Sequence, residues 1–430
     1  MVAKERDKTN RKRTDHSSLY TRIVPKQKKG MTLVFSFIML VPLLPMCNAS
    51  VLTTVSAQEP PIKFTRTIQV TPDGQFLTGS FARINYVPAT NHFVITFGTK
   101  ASTQPNASLG AGYAYKEYTL DMQETGITGL LEWYANASEA GDSGSCMINS
   151  TYYHAFVSQN QADAYGWRLI KYDAANWTRL NETYVLLQDP NEGNLDPMVA
   201  WINGELDVSD QYNASGTWQE GNSTVHYFFT EDLQPTGHIY LADTPHICGS
   251  SIIFVDGVYY FVSANNYFGG LKVMKYDSDW DYLGTKNLTE QAHWSQGIVF
   301  DGERFYVAYL DTSERNSPMF FPVYPNVHLA VYDRNWDLVH DEVITNFTFG
   351  GDKKGGRPWV TLHGNLLYVS YDVDTVNVTT KEEEKKWEAY VTILEINTAP
   401  QGIPWPWVIL AAGIVIGVVA VTYVLLKRRK

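Results

Sequence analysis

A chain of 430 residues, 44% hydrophobic and 18% charged, can bury a core of its own, which excludes a disordered or fibrous polymer. Three cysteines are too few for a disulfide-stapled scaffold. The net charge of −11 is unevenly spread: residues 1–30 carry ten Lys/Arg against three Asp/Glu, the tail Lys427–Lys430 adds +4, and residues 31–426 therefore hold −22. A body that acidic argues against a nucleic-acid partner and favours solubility.

In chain order, the basic start is followed by the apolar run "MTLVFSFIMLVPLLPM" and by small residues at Val55 and Ala57. Basic start, apolar centre and small residues predict a leader and signal peptide over residues 1–57, cut ahead of Gln58. The run has 16 residues and two prolines, Pro42 and Pro45, short of the ~20 that span a bilayer. An uncleaved anchor is the alternative.

Next comes a strand, "IKFTRTIQV" (62–70), and then six units built alike. Each has an apolar run, a turn, an aromatic-rich run, an apolar third run and an outer hairpin. The clearest are "GSSIIFVDGVYYFVSANN" before "LKVMKYDSDWDYLG" and "SQGIVFDGERFYVAYLDT" before "HLAVYDRNWDLVH", with turns at Asp256-Gly257 and Asp301-Gly302. "GRPWVTLHGNLLYVSYDV" leads in the same way to "AYVTILEIN". Looser copies are "GSCMINSTYYHAFVSQN" before "WRLIKYDAANW", "DPMVAWINGELDVSDQY" before "TVHYFFTEDLQPTG", and "FARINYVPATNHFVITFG" before "GYAYKEYTLDMQ". The second runs centre on Phe93, Tyr153, Leu206, Tyr260, Phe305 and Tyr368, recurring about every fifty residues. The third runs are apolar at odd and even positions, so both sheet faces are covered.

Four-stranded meanders at this spacing predict an all-β, six-bladed β-propeller over residues 58–400. The sixth unit has only three strands, so strand 62–70 is expected to close it and remove an exposed edge. Asp173, Asp277 and Asp333 of the outer hairpins read as turn residues, not catalytic ones. "DPNEGNLDP" (189–197) and "KEEEKKWE" (381–388) read as a polar loop and a solvated insertion.

Ile403–Leu426 is uncharged over 24 residues, about 36 Å as a helix, with Trp405 and Trp407 at one border and the basic tail at the other. Residues 401–430 are therefore predicted to form a transmembrane helix and cytoplasmic tail, making a single-pass type I protein with its bulk outside the cell. Gly413 and Gly417 lie on one helix face and would permit a weak homodimer. N-x-S/T sequons at Asn48, Asn106, Asn136, Asn149, Asn176, Asn181, Asn213, Asn222, Asn287, Asn346 and Asn377 predict an outward-facing glycoprotein. Cys146 and Cys248 could pair if their backbones approach.

The blade "HIYLADTPHICGSSIIFVDGVYYFVSAN" resembles those of five-bladed glycosidases, and the layout is similar to sialidase-like propellers. That resemblance implies convergent carboxylates, an acid facing a base or nucleophile. The chain departs from it: the first inner strand has Arg83 and Asn85 but no Asp, no Glu stands in the run before Gly249, and no repeated S-x-D-x-G-x-x-W box occurs. The basic leader, sequon density and KRRK tail resemble archaeal envelope proteins.

Residues just ahead of the inner strands are expected around the central channel: Arg83, Asp142, Asp196, His246, His293, Trp294, Gln296, Arg357 and Trp359. Trp covers the apolar face of a sugar while charged groups fix hydroxyls or a carboxylate. The plainer alternative is that these groups satisfy one another around a watery channel. No cofactor is called for; calcium at 189–197, or a divalent ion on His246, His293 and Gln296, would be the exception. The sequence thus points to a surface propeller that binds an extracellular glycan or protein. Its rivals are an exported carbohydrate-active enzyme and a structural envelope or adhesion component.

Overall fold

The recurrent hairpins fold as the inner and outer corners of six blades. The computed structural model describes residues 60–71, 80–100, 110–134, 143–157, 166–186, 197–212, 223–242, 251–264, 270–290, 292–311, 326–348, 352–375, 379 and 387–397. β1 (Ile62–Gln69) opens the domain. Blade one is β2 (Arg83–Val87), β3 (His92–Lys100), β4 (Ala111–Tyr118) and β5 (Glu124–Tyr134). Blade two is β6 (Ser143–Ile148), β7 (Thr151–Val157), β8 (Gly166–Asp173) and β9 (Thr178–Leu186). Blade three is β10 (Met198–Ile202), β11 (Glu205–Tyr212), β12 (Ser223–Phe229) and β13 (Pro235–Ala242). Blade four is β14 (Ser251–Val255), β15 (Val258–Ala264), β16 (Leu271–Asp277) and β17 (Tyr282–Thr289). Blade five is β18 (Ala292–Phe300), β19 (Phe305–Asp311), β20 (Asn326–Tyr332) and β21 (Leu338–Val343). Blade six is β22 (Lys353–His363), β23 (Leu366–Thr375) and β24 (Glu388–Ile396), and its fourth strand is β1, antiparallel to β24 from Ile62↔Ile396 to Gln69↔Tyr390. The closure expected from the sequence is the one observed.

Burial explains the strand patterns. β19 and β23 are buried almost throughout because neighbouring blades cover both faces, whereas outermost β21 and β17 are largely exposed. Among the described residues a hydrophobic cluster fills each of the six seams; that between blades six and one, for example, joins Val391, Ile393 and Tyr368 to Ile84, Phe93 and Ile95. Asn203-Gly204 and Asp256-Gly257 have positive φ at both positions, the type I′ geometry that suits a two-residue hairpin. Asp301-Gly302 is not that turn. β18 ends at Phe300 and β19 begins at Phe305, because the Asp301 carboxylate accepts the amides of Glu303 and Arg304 and opens a longer loop.

At the outer corners, Asp277 and Asp333 each accept two backbone amides with one carboxylate oxygen, and Asp173 accepts that of Ala175. The following Trp177, Trp280 and Trp336 sit at φ 59°, 66° and 64°, left-handed conformations that are strained for a bulky residue. The gain is a ring inserted at the seam: Trp280 stacks on Tyr259 at 4.0 Å and meets His226 and Phe228 of the preceding blade.

The short turns, strand one to two and three to four, share one side of the ring; the longer connections leave from the other. Pro60 and Asn397 lie on the short-turn side, where the Asn397 amide donates to the Pro61 carbonyl. No helix among the described residues is long and apolar enough to cross a membrane; the leader, residues 403–426, Gly413 and Gly417 lie outside them. Of the sequon asparagines, Asn149, Asn176, Asn181, Asn287 and Asn346 are exposed, and the other six lie outside the described residues.

His154 on β7 is buried among Tyr113, Tyr152 and Phe156, and its Nδ1 has no hydrogen-bond partner among the described residues. Burial first, and the Arg83 charge second, push its pKa from 6.5 down to about 3. Between those values the unfolded chain binds a proton that the native chain refuses, so stability falls as pH drops through that window, by up to about 1.4 kcal/mol per pH unit. His154→Phe is expected to flatten the acid limb of an unfolding-versus-pH series by up to that slope. A wild-type-minus-variant difference that stays constant from neutral pH down to about pH 4 would contradict it.

Candidate functional site

The inner strands begin on the side of the long connections, and two of them are irregular there. In β18 the register jumps between His293 and Gly297; in β22 it jumps between Gly356 and Trp359. Bulges of this kind re-aim side chains. These two are neighbours: a Cβ on Gly297 would lie 2.5 Å from the Val360 nitrogen, so only glycine permits the approach of the two strands. His293, Trp294 and Gln296 are thus carried by one bulged strand and Arg357 and Trp359 by the next. The side chains of His293, Trp294 and Gln296 are outside the description, as are Asp142, Asp196 and His246 entirely.

Arg83, 1% exposed, is a brace at the start of β2. It donates to the Arg357 carbonyl of blade six (3.3 Å) and the Ser143 carbonyl of blade two (3.2 Å), and its guanidinium lies 5.1 Å from the Trp359 ring centre. Arg357, at φ 42°, is held between the rings of Phe81 (4.0 Å) and Trp387 (4.5 Å) and donates to the buried Asp372 carboxylate at 3.3 Å. The Phe81 amide donates to the same Asp372 oxygen. Charge here is largely spent on joining blade six to blade one. Trp387, read from sequence as part of a solvated insertion, packs against both Arg357 and Lys354; residues 381–386 lie outside the description.

Beside this cluster, at the leading ends of the inner strands, lies a cavity of about 120 Å³. Trp359 forms one wall, and Met198, Val199, Ala200, Ile252 and Ile298 form the apolar remainder. Cys146, Ser209 and Ser251 supply its polar atoms. Cys146 is a free thiol, and burial pushes its pKa well up, so it is protonated and a weak nucleophile; Cys248 lies outside the described residues. The Ser251 hydroxyl is buried with no partner among the described residues. Among the described residues no carboxylate is on this wall, and no group of three or more His, Cys, Asp and Glu is placed to hold a metal ion. Of the nine residues singled out in the sequence, Trp359 lines the cavity, while Arg83 and Arg357 brace the structure behind it. Sequence reasoning missed Cys146, Ser209 and Ser251, whose ordinary Ser/Cys strand pattern carries no motif.

No protein-family model and no curated protein matches the chain. Solved structures do. A protein of unknown function from Dyadobacter fermentans DSM 18053 is 14% identical, with a TM-score of 0.53, covering 79% of this chain and 100% of its own. A subtype N10 neuraminidase-like protein of A/little yellow-shouldered bat/Guatemala/060/2010 is 7% identical, with a TM-score of 0.45 and coverage of 77% and 98%. A neuraminidase-like protein from A/bat/Guatemala/164/2009 is 9% identical, with a TM-score of 0.45 and coverage of 80% and 97%. At 14% identity the likeness to the Dyadobacter protein speaks to the fold alone and not to activity.

Proposed function

We propose that this protein is a single-pass, surface-anchored propeller that binds an extracellular glycan at the channel side bearing Trp359. The observation that carries the reading is the cavity at the leading ends of the inner strands, walled by an indole and lying on the side opposite Pro60 and Asn397. An anchor formed by residues 403–426 would leave from the short-turn side and hold the cavity away from the bilayer. Exposed sequon asparagines suit an outward location, and the basic leader and tail suit an envelope protein of the archaeal kind. Binding is favoured over hydrolysis because the first inner strand offers Arg83 and Asn85, and no Asp, where the sialidase-like resemblance implies a carboxylate.

The test is glycan-array binding by the purified full chain, with Trp359→Ala as the variant. Loss of a stacking ring is expected to weaken binding by about tenfold or more with the fold retained. Unchanged binding by a folded variant would move the site off the channel. Proteolysis of intact cells checks the topology: the domain should be removed, and survival until lysis would reverse the orientation.

A further inference from the structure

The cavity has a property that its surroundings lack: among the described residues its wall carries no ionised side chain. The charges nearby are committed elsewhere, Arg357 to Asp372 and Arg83 to two carbonyls behind Trp359. The Cys146 thiol is held protonated by burial. What remains is one indole face, apolar strand residues, and the hydroxyls of Ser209 and Ser251. Ser251 is 7% exposed and its oxygen has no partner among the described residues, a buried group that a ligand hydroxyl would satisfy. The volume, about 120 Å³, is of the order of the ~150 Å³ engineered cavity that admits a benzene ring.

Resting on the channel-side reading above, we infer that this cavity receives an uncharged, hydroxylated six-membered ring, one neutral sugar residue, and discriminates against an ionised one. The apolar face of the ring covers the Trp359 indole, and a ring hydroxyl pairs with the Ser251 oxygen. A carboxylate brought to the same wall would shed its hydration with no cation among the described residues left to receive it, since Arg83 and Arg357 already have partners.

The test titrates the purified full chain in detergent with the methyl glycosides of glucose, galactose and mannose, with the corresponding uronates, and with phenol, following tryptophan fluorescence. At least one neutral glycoside is expected to bind, and its uronate about tenfold or more weaker. Ala200→Leu, which fills the cavity, is expected to weaken the neutral glycoside by about tenfold, and Ser251→Ala by a few-fold. Should Ala200→Leu fail to fold, wild-type protein supplies a second readout. The neutral glycoside should slow labelling of Cys146 by a small uncharged thiol reagent, read by peptide mass mapping, and the uronate should not.

Uronates binding as well as neutral sugars, phenol binding where no glycoside does, or normal binding by folded Ala200→Leu would each overturn the inference. A charged glycan whose binding is lost in Trp359→Ala would overturn it while leaving the channel-side site standing. Glycan binding indifferent to Trp359→Ala would remove both.

Discussion

Deleting residues 62–70 from the full chain is expected to unfold the ring as a whole and not merely fray one end. β1 supplies the fourth strand of blade six, pairs along its length with β24, and carries Ile62 into the seam with blade five. Val70, just beyond it, fills the seam with blade one, and its amide donates to the Ala389 carbonyl. Each such aliphatic side chain is worth about 1.5–3 kcal/mol when buried, and each lost ladder hydrogen bond about 0.5–1.5 kcal/mol. The total is comparable to the ~5–15 kcal/mol that holds a typical domain together. The deletion also leaves β24 as an unpaired edge. Thermal unfolding and size-exclusion chromatography should show an aggregated or much less stable protein; equal stability would remove the closure argument.

Trp336→Ala is expected to destabilise the protein by about 3–5 kcal/mol, the range for truncating a buried large aromatic side chain. Trp336 is 1% exposed, stacks on Phe305 at 4.3 Å, and reaches Tyr260 of the preceding blade at 5.5 Å. Its indole nitrogen has no partner among the described residues, so Trp336→Phe forfeits volume alone and is expected to cost much less. Asp333→Ala separates the turn from the wedge: it removes the acceptor of two amides, at a cost of about 1–3 kcal/mol. Urea denaturation of the three variants gives the ranking. A cost below about 1 kcal/mol for Trp336→Ala would mean that the outer corner does not hold neighbouring blades together.

These corners also show how far the sequence could be read. Tyr-Asp followed by Trp is visible in blades two, four and five because the same carboxylate and the same ring recur. Blades one and three build an equivalent corner from other atoms. The Thr119 and Thr230 hydroxyls accept the amides of Gln123 and Gln234, and Met122 and Leu233 occupy the left-handed wedge position at φ 53° and 62°. "TLDMQ" and "TEDLQ" preserve the geometry and not the letters, which is why those copies looked loose. The strands, the blade count and the closing strand were legible because a seam on each face forces continuous apolar runs.

The site was less legible. Which candidate faces the channel depends on two bulges, and a register jump leaves no mark in composition. Arg83 and Arg357 stand where a channel residue is expected, but seam-to-seam distances turned them into braces. Ser251 became notable only when its hydroxyl proved buried and unpartnered among the described residues.

Hydrogen–deuterium exchange on the full chain, with and without the best-binding array glycan, tests the proposed site most directly. Added protection is expected at the leading ends of β10, β14, β18 and β22, with the outer strands β9, β13, β17 and β21 unchanged. Protection confined to those outer strands, with the inner ends exchanging as before, would contradict it.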